Sequence, residues 1–240
     1  MSDKSSNQRP IGFFSSRNVR ILGFLICIIF IIKWSISSPY HVPTSSMEPT
    51  IKVGDRIFAW KLAYGLTLPF MTTPLIKWSQ ISRGDIVIFR FPTDPNLEYI
   101  KRVIGLPGDK IEIIEHRVLI NDEPIQQTML AETVVNNTHQ DRFRAPQSLL
   151  LEKNGPLEYR ILTNSTKEID RRIDDRQTYI VPNDAVFVMG DNRSYSSDSR
   201  DWGAVPVDHI YGRATFVIWS FQNRPDQTGH MRWDRFFFWL

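Results

Sequence analysis

The amino-acid sequence predicts a mostly β protein: an antiparallel β-sheet core with an inserted β subdomain, plus one N-terminal transmembrane helix. Fifteen prolines and twelve glycines are spread along the 240 residues and separate short runs rich in Val, Ile and Phe, a pattern typical of strands joined by turns. One apolar run stands apart near the N-terminus, at residues 21–32. The composition, 42% hydrophobic and 23% charged, is that of a folded chain long enough for one core with an insertion.

The predicted membrane anchor is residues 21–37, built on the run ILGFLICIIFII. A helix needs about 20 residues to cross the hydrocarbon layer, so the span must also use Val19 and the residues after Ile32. Lys33 would then snorkel toward the headgroups and Trp34 would lie at the interface. Basic residues precede the run and only Asp3 opposes them, so the positive-inside rule keeps residues 1–20 in the cytoplasm and exports everything after about residue 38. These basic residues are Lys4, Arg9, Arg17 and Arg20.

Two other interpretations of the apolar run stay open. It could be a cleaved secretory signal peptide, with Ser35 and Ser37 as small residues before a cut that the nearby Pro39 makes awkward. It could also be a buried core helix. Cys27, the single cysteine, excludes an intramolecular disulfide and a cysteine-ligated metal site. The net charge of +3 comes without interleaved basic and aromatic residues, so nucleic acid is not an expected partner.

The remaining chain divides into four predicted parts. The first part of the β core is 38–115, where RGDIVIFRFP (83–92) alternates two faces between Gly84 and Pro92 and predicts a strand of about six residues. KRVIGLPGDKIEII (101–114) predicts a strand, a Pro-Gly turn and a second strand. The more polar stretch 116–178 predicts the inserted subdomain, and strand-like runs return in 179–222. The tail, 223–240, predicts an edge strand or helix closing the core, or a second contact with the membrane surface.

Three motifs carry candidate chemistry. VPTSSMEPT (42–50) places serines in a tight, non-helical turn that can expose a hydroxyl and aim N–H groups at one point, although it could be a simple linker. EYIKRVIGLPGDK (98–110) carries Lys101 in an apolar strand, where burial would lower its pKa and let a neutral amine accept a serine proton; a lysine snorkelling from a strand edge is the alternative. MGDNRSYSSDSRDWGAVP (189–206) predicts a hydrogen-bonded floor for a site, or a solvated loop with an Asp–Arg pair.

Taken together and in this order behind one anchor, the three motifs resemble bacterial type I signal peptidase. The resemblance covers most of residues 38–222 and is weakest in the insertion. It implies that Ser46 is the nucleophile, Lys101 the general base, and the Thr44 hydroxyl with the Ser46 N–H the oxyanion hole. Thr44 stands where many members have serine, and Ser45 where many have glycine. The supporting residues it implies are Ser196, Asp198, Arg200, Gly190, Asp191, Asn192 and Arg193, and the small apolar substrate pockets are lined by Val42, Ile51, Ile88 and Ile100.

The implied activity is removal of N-terminal signal peptides from exported preproteins, with cleavage after Ala-x-Ala-like sequences. The partners are then preprotein signal peptides and membrane lipid, with no cofactor, metal or nucleic acid. The implied location is the bacterial inner membrane, single-pass, with the catalytic domain on the periplasmic face. All five histidines lie outside the three motifs, which argues against a Ser–His–Asp triad. Two alternatives are a conjugation-type maturation protease with the same dyad and a catalytically inactive membrane-anchored β scaffold.

Overall fold

The computed structural model describes residues 17–26, 37–66, 76–77, 79–114, 117–134, 146–164, 176–224 and 227–240. Residues 17–26 form a helix whose large apolar side chains, from Val19 to Ile26, are all exposed. Within these described ranges, no helix is both long enough and apolar enough to cross a membrane. Ten positions of the predicted anchor, 27–36, lie outside the described residues.

The described chain after residue 36 is built almost entirely of antiparallel strands, which confirms the predicted mostly β fold. Between the strands, the described residues form turns, four short 3-10 helices and one short α-helix, Ser199–Trp202. In chain order the strands are β1 (Ser37–His41), β2 (Asp55–Trp60), β3 (Gly65–Leu66), β4 (Ile76–Lys77), β5 (Ile86–Phe91), β6 (Asp94–Gly105), β7 (Lys110–Ile114), β8 (Arg117–Ile120), β9 (Glu123–Pro124), β10 (Gln126–Val134), β11 (Gln147–Asn154), β12 (Leu157–Asn164), β13 (Arg176–Ile180), β14 (Ala185–Met189), β15 (Val205–Pro206), β16 (Ile210–Arg224), β17 (Gln227–Met231) and β18 (Phe238–Trp239).

The main sheet has nine strands in the order β1-β2-β16-β5-β6-β14-β15, with β17 and β18 also paired to β16. Three smaller sheets accompany it: β10-β11-β12, β13-β7-β8-β9 and the pair β3-β4. Strands β8 to β12 fall within the predicted insertion, 116–178, whereas β7 precedes it and β13 crosses its end. Its two most polar stretches, 136–142 and 163–177, lie largely outside the described residues.

Most of the predicted strands are present with similar bounds. The run 83–92 contains β5, and 101–114 contains the end of β6, a turn and β7. β6 begins seven residues earlier than its apolar pattern, because its first half is exposed and only its second half enters the core. β16 is likewise longer than the apolar run 213–221, since it extends past the sheet to pair with β17.

The C-terminal tail, 223–240, adds two short strands to the main sheet, β17 and β18. β18 pairs with β16, placing Trp239 opposite Phe216. The Phe216 ring stacks on Phe58 of β2 at 4.8 Å between centroids and lies 5.4 Å from the Trp239 ring. Trp239 nevertheless remains 72% exposed, so the tail both completes the sheet and presents an aromatic surface to its surroundings.

A buried ion pair holds this tail to β2. Asp55 is fully buried, and its carboxylate accepts hydrogen bonds from Arg235 at 2.6 Å (Nη2 to Oδ2) and 3.1 Å (Nε to Oδ1). The guanidinium also donates to the Thr50 carbonyl at 2.8 Å. Because Thr50 lies in the turn between β1 and β2, the tail also steadies the segment that carries Ser46.

We expect Asp55→Ala to lower the free energy of unfolding by about 3–5 kcal/mol, because it leaves the Arg235 guanidinium buried without a counter-charge. The matched control is Glu158→Ala, which breaks the Lys153–Glu158 pair, whose side chains are 54% and 51% exposed, and should cost at most about 1 kcal/mol. Urea unfolding of the detergent-solubilised protein measures both. Equal losses of unfolding free energy in the two variants would contradict a larger stabilising role for the buried pair.

Candidate active site

Ser46 lies in the short turn that connects β1 to β2. The Glu48 N–H donates to the Ser45 carbonyl at 3.1 Å and the Ile51 N–H donates to the Met47 carbonyl at 2.9 Å, so the turn is closed by its own backbone. Met47 and Ile51 are buried in the core beneath it. Because Met47 and Ile51 pack into the core, the turn is held in place and Ser46 lies half-buried at the edge of a cleft.

Lys101 reaches this serine from β6. Its side chain is only 2% exposed, since it lies where β6 enters the core opposite Val87 of β5. The amine Nζ and the Ser46 Oγ are 2.8 Å apart, a hydrogen-bonding distance, although the two residues are 55 positions apart in sequence. The Tyr99 ring, 5.3 Å from Nζ, closes another side.

Burial lowers the pKa of Lys101 to about 8, from an ordinary value of 10.5. The cause is loss of hydration, which penalises the charged ammonium. The carboxylate of Asp198 acts in the opposite direction and the guanidinium of Arg200 assists the lowering. A substantial fraction of this lysine is therefore a neutral amine slightly above neutral pH.

Asp198 and Arg200 form an ion pair close to Lys101. Asp198 is fully buried, and its Oδ1 lies 2.8 Å from the Arg200 Nε. Burial opposes ionisation of this carboxyl, but Arg200, the Gly190 N–H and the Ser196 hydroxyl together lower the pKa of Asp198. Ser196, itself buried, thus lies beside the carboxylate.

Gly190 allows the loop 190–200 to pass close to the turn between β1 and β2 that carries Ser46. A Cβ at this position would overlap the Ser196 hydroxyl and the Ser46 carbonyl oxygen. Its N–H donates to Asp198 at 2.9 Å. Any larger residue would therefore push the loop away from both Ser46 and the ion pair.

The next three residues of the loop are all buried and hydrogen-bonded. Asp191 accepts two hydrogen bonds from Arg102, at 2.8 and 2.7 Å. Asn192 donates from its backbone N–H to the Ser46 carbonyl at 3.1 Å and from Nδ2 to the Ser45 carbonyl at 3.2 Å. Arg193 pairs with Glu152 of β11 at 2.7 and 2.5 Å.

Thr44 lies on the solvent side of Ser46. Its Oγ1 is 3.4 Å from the Ser46 Oγ, and the residue is exposed. The hydroxyl is therefore near the point where an oxyanion would form beside Ser46, and it is free to rotate toward an incoming carbonyl oxygen.

A cleft of about 570 Å³ runs past Ser46 and Lys101. The four residues proposed for small apolar pockets, Val42, Ile51, Ile88 and Ile100, all line it. Val42, Ile51 and Ile88 are buried, so their branched side chains form a firm wall.

Sequence reasoning missed several residues that also line this cleft: Tyr40, Leu97, Glu98, Tyr99 and Tyr195. Glu98 and Tyr99 lie inside the second motif and Tyr195 lies inside the third, so their place in these motifs was the signal that could have identified them. Tyr40 and Leu97 carry no local signal, because only the pairing of strands in the order β1-β2-β16-β5-β6 brings them to one cleft.

This arrangement suits acyl transfer. A hydroxyl at the edge of an apolar cleft lies within hydrogen-bonding distance of a buried amine with a lowered pKa, which is the pairing needed to activate a serine. The Thr44 hydroxyl lies 3.4 Å from the Ser46 Oγ, close enough to donate to a negative charge that develops beside that oxygen.

Comparison with known proteins identifies relatives along most of the chain. A family model described as "Signal peptidase, peptidase S26" matches residues 15–219. Signal peptidase I of Pseudomonas aeruginosa is 35% identical over 207 residues, covering 81% of this chain and 69% of the relative. Signal peptidase I of Rickettsia akari is 37% identical over 208 residues, covering 82% and 77%. A solved signal peptidase I from Enterococcus faecalis aligns with a TM-score of 0.33 and 24% identity, covering 57% of this chain and 98% of that one.

We expect Lys101→Met to raise the free energy of unfolding at pH 7, by up to about 3 kcal/mol, because it removes a buried ammonium. In the wild type the unfolded chain keeps this proton to a higher pH than the folded protein. Lys101 therefore makes stability rise between pH 8 and 10.5, and the variant should lose that rise.

Urea unfolding across this pH range measures the effect. Lys153→Met, at a lysine whose side chain is 54% exposed, is the control and should alter neither quantity. A Lys101→Met protein with the wild-type pH dependence would contradict the lowered pKa.

Proposed function

The chain belongs to the signal peptidase family, peptidase S26, and from this premise we propose that it removes N-terminal signal peptides from exported preproteins as a membrane-anchored serine endopeptidase. Ser46 is the nucleophile and Lys101 the general base. The observation that carries the proposal is the 2.8 Å approach of the buried Lys101 amine to the Ser46 hydroxyl. The same approach argues against an inactive scaffold, which would have no need of a buried lysine beside a serine.

The proposed reaction is a two-step acyl transfer. The neutral Lys101 amine takes the proton from Ser46 as Oγ attacks the scissile carbonyl, and the oxyanion accepts hydrogen bonds from the Ser46 N–H and the Thr44 hydroxyl. The lysine then gives its proton to the leaving amine, which releases the mature protein. Lys101 next deprotonates a water that hydrolyses the ester and frees Ser46.

Burial sets the charge state of this base, and the Asp198–Arg200 pair has little net effect on it because its two charges act in opposite directions. Asp198 alone would favour the ammonium, and Arg200 offsets it. Ser196 beside Asp198 is proposed to orient the amine toward Ser46. These residues act through Lys101 and touch no substrate.

The proposed substrate segment is extended and carries small side chains. The cleft is walled by Val42, Ile51, Ile88 and Ile100, and branched side chains that are themselves packed in the core cannot move aside for a large residue. This supports cleavage after Ala-x-Ala-like sequences.

The proposed location is the bacterial inner membrane, with residues 21–37 as the anchor, the N-terminus in the cytoplasm and the catalytic part on the periplasmic face. The exposed apolar helix over 17–26 supports an anchor here. β1 starts at Ser37, paired with Trp60, so the anchor joins the sheet beside this exposed aromatic residue.

Exposed Trp and Phe side chains of the C-terminal tail suit the interfacial layer of lipid. They are Trp233, Phe236, Phe237, Phe238 and Trp239.

We expect Ser46→Ala to abolish cleavage of a preprotein in detergent. Lys101→Met should lower kcat by about 10²–10⁴-fold, the usual contribution of a positioned general base. Gel analysis of preprotein processing measures both, with circular dichroism to verify the fold. Lys153→Met should cleave at the wild-type rate.

Wild-type activity should also rise as pH increases through about 8, because the neutral amine is the active form. A Lys101→Met protein with full activity would remove the proposed mechanism. A well-folded wild type without activity on any preprotein would favour the inactive scaffold.

We expect Ile100→Ala to relax the preference for alanine in the substrate, because it removes part of the pocket wall. Peptides with Val in place of Ala should gain about tenfold in relative kcat/KM, the usual effect of a few methyl groups in an apolar pocket. Leu97→Ala, at an exposed residue on the rim of the same cleft, is the control. Identical specificity in the Ile100 variant and the wild type would exclude Ile100 from the pocket.

A further inference from the structure

We propose that the three-stranded sheet β10-β11-β12 of the insertion positions the Ser46 N–H for catalysis, acting through Gln147 and Asn192. Gln147 is thus a positioning residue in the proposed peptidase reaction, on which this inference rests. It lies at the start of β11, 45 residues before Asn192. Nothing in its local sequence marks it as part of the site.

Gln147 fixes the orientation of the Asn192 side chain. Its Nε2 donates to the Asn192 Oδ1 at 2.7 Å, and the two residues are 2% and 0% exposed. An amide has one acceptor end and one donor end. Because Oδ1 faces Gln147, the Nδ2 of Asn192 faces the turn between β1 and β2 that carries Ser46.

Asn192 in turn holds the carbonyl groups of two successive residues in that turn. Nδ2 donates to the Ser45 carbonyl at 3.2 Å, and the backbone N–H donates to the Ser46 carbonyl at 3.1 Å. If the amide were reversed, Oδ1 would face the Ser45 carbonyl, and two acceptors would repel each other in a dry environment. The orientation set by Gln147 is therefore the one that binds the turn.

Holding the Ser45 carbonyl also aims the Ser46 N–H. Both groups belong to one planar trans peptide unit, in which the C=O and N–H point in opposite directions. With the carbonyl directed at Asn192, the N–H is directed away from the loop, as an oxyanion donor requires. The Glu48 N–H also donates to the Ser45 carbonyl at 3.1 Å, so losing Gln147 should loosen this peptide unit without freeing it completely.

The sheet that carries Gln147 is itself fixed to the loop at each neighbouring residue. The Leu162 N–H of β12 donates to the Asp191 carbonyl at 2.9 Å, and the Asn164 N–H donates to the Ser194 hydroxyl at 2.9 Å. The Glu152–Arg193 pair adds two charge-assisted hydrogen bonds. Gln147 is therefore presented to Asn192 by a fixed platform, as positioning requires.

The test uses the full-length protein in detergent and two substitutions. Gln147→Met keeps the length of the side chain and removes its amide, and should lower kcat about tenfold, less than the about 10²–10³-fold cost of losing an oxyanion donor. Gln147→Glu keeps the shape but presents a carboxylate to Oδ1, which favours the reversed amide, and should lower kcat further. KM should change little in both, because the cleft wall is intact.

The matched control is Gln126→Met, the same chemical change in the same sheet. Gln126 is exposed and pairs through its backbone with Lys153 of β11, so its variant reports any general effect of this change on the sheet, and its kcat should stay at the wild-type value. A peptide boronic acid, which forms a tetrahedral adduct on a serine, supplies a second readout. Its affinity for both Gln147 variants should fall in parallel with kcat, while that of an unreactive substrate peptide stays constant.

Folding is verified by circular dichroism, and the shape-preserving Gln147→Glu variant keeps the test open if the Met variant does not fold. A folded Gln147 variant with wild-type kcat, or with a change in KM alone, would overturn the positioning role. A Ser46→Ala protein assayed alongside separates the two ideas, because retained cleavage there would remove the proposed function itself, whatever Gln147 does.

Discussion

The whole site depends on keeping the Lys101 amine out of water. A hydrated lysine is an ammonium at neutral pH and has no lone pair with which to accept a proton. Loss of hydration lowers the pKa to about 8, and that loss requires β5, β6 and Tyr99 to enclose the side chain. The main sheet therefore serves the chemistry by excluding solvent at one position. A buried amine destabilises the folded state whenever it is protonated, so packing in the rest of the core must offset this loss of stability.

The charged residues around Lys101 are arranged in pairs, and the pairing protects the lowered pKa. Asp198 on its own would raise the pKa of Lys101, but Arg200 lies 2.8 Å from it and acts in the opposite direction. Asp191 is likewise bound by Arg102, whose guanidinium also covers the Tyr159 ring at 4.3 Å. Buried pairs of this kind add little net stability compared with apolar packing. Their retention here is better explained by the geometry and the electrostatic balance that they impose on the loop.

Sequence patterns predicted the features that depend on short-range order. The alternation in 83–92 predicted β5 within one or two residues, and the Pro-Gly turn predicted the break between β6 and β7, which belong to different sheets. The resemblance directed attention to Ser46 and Lys101, which the structure places together. Features that depend on pairing between distant strands were beyond reach. The exposed half of β6 has no apolar pattern, and Tyr40 reaches the cleft only because β1 lies at the edge of the main sheet.

Gln147 illustrates the same limit and gives the insertion a physical role. A polar residue at the start of a strand is common in sequences and carries no functional signal. The proposed role of Gln147 depends on its buried hydrogen bond to Asn192, which only the folded structure shows. The buried layer around this hydrogen bond is continuous: the inserted sheet binds the loop 191–194, and the loop binds the carbonyls of Ser45 and Ser46. Because the side-chain amides of Gln147 and Asn192 are hydrogen-bonded to each other and to the Ser45 carbonyl, the layer resists the peptide rotations that a surface turn would otherwise sample. An insertion remote in sequence thereby supports, through the loop 191–194, the turn that carries Ser46.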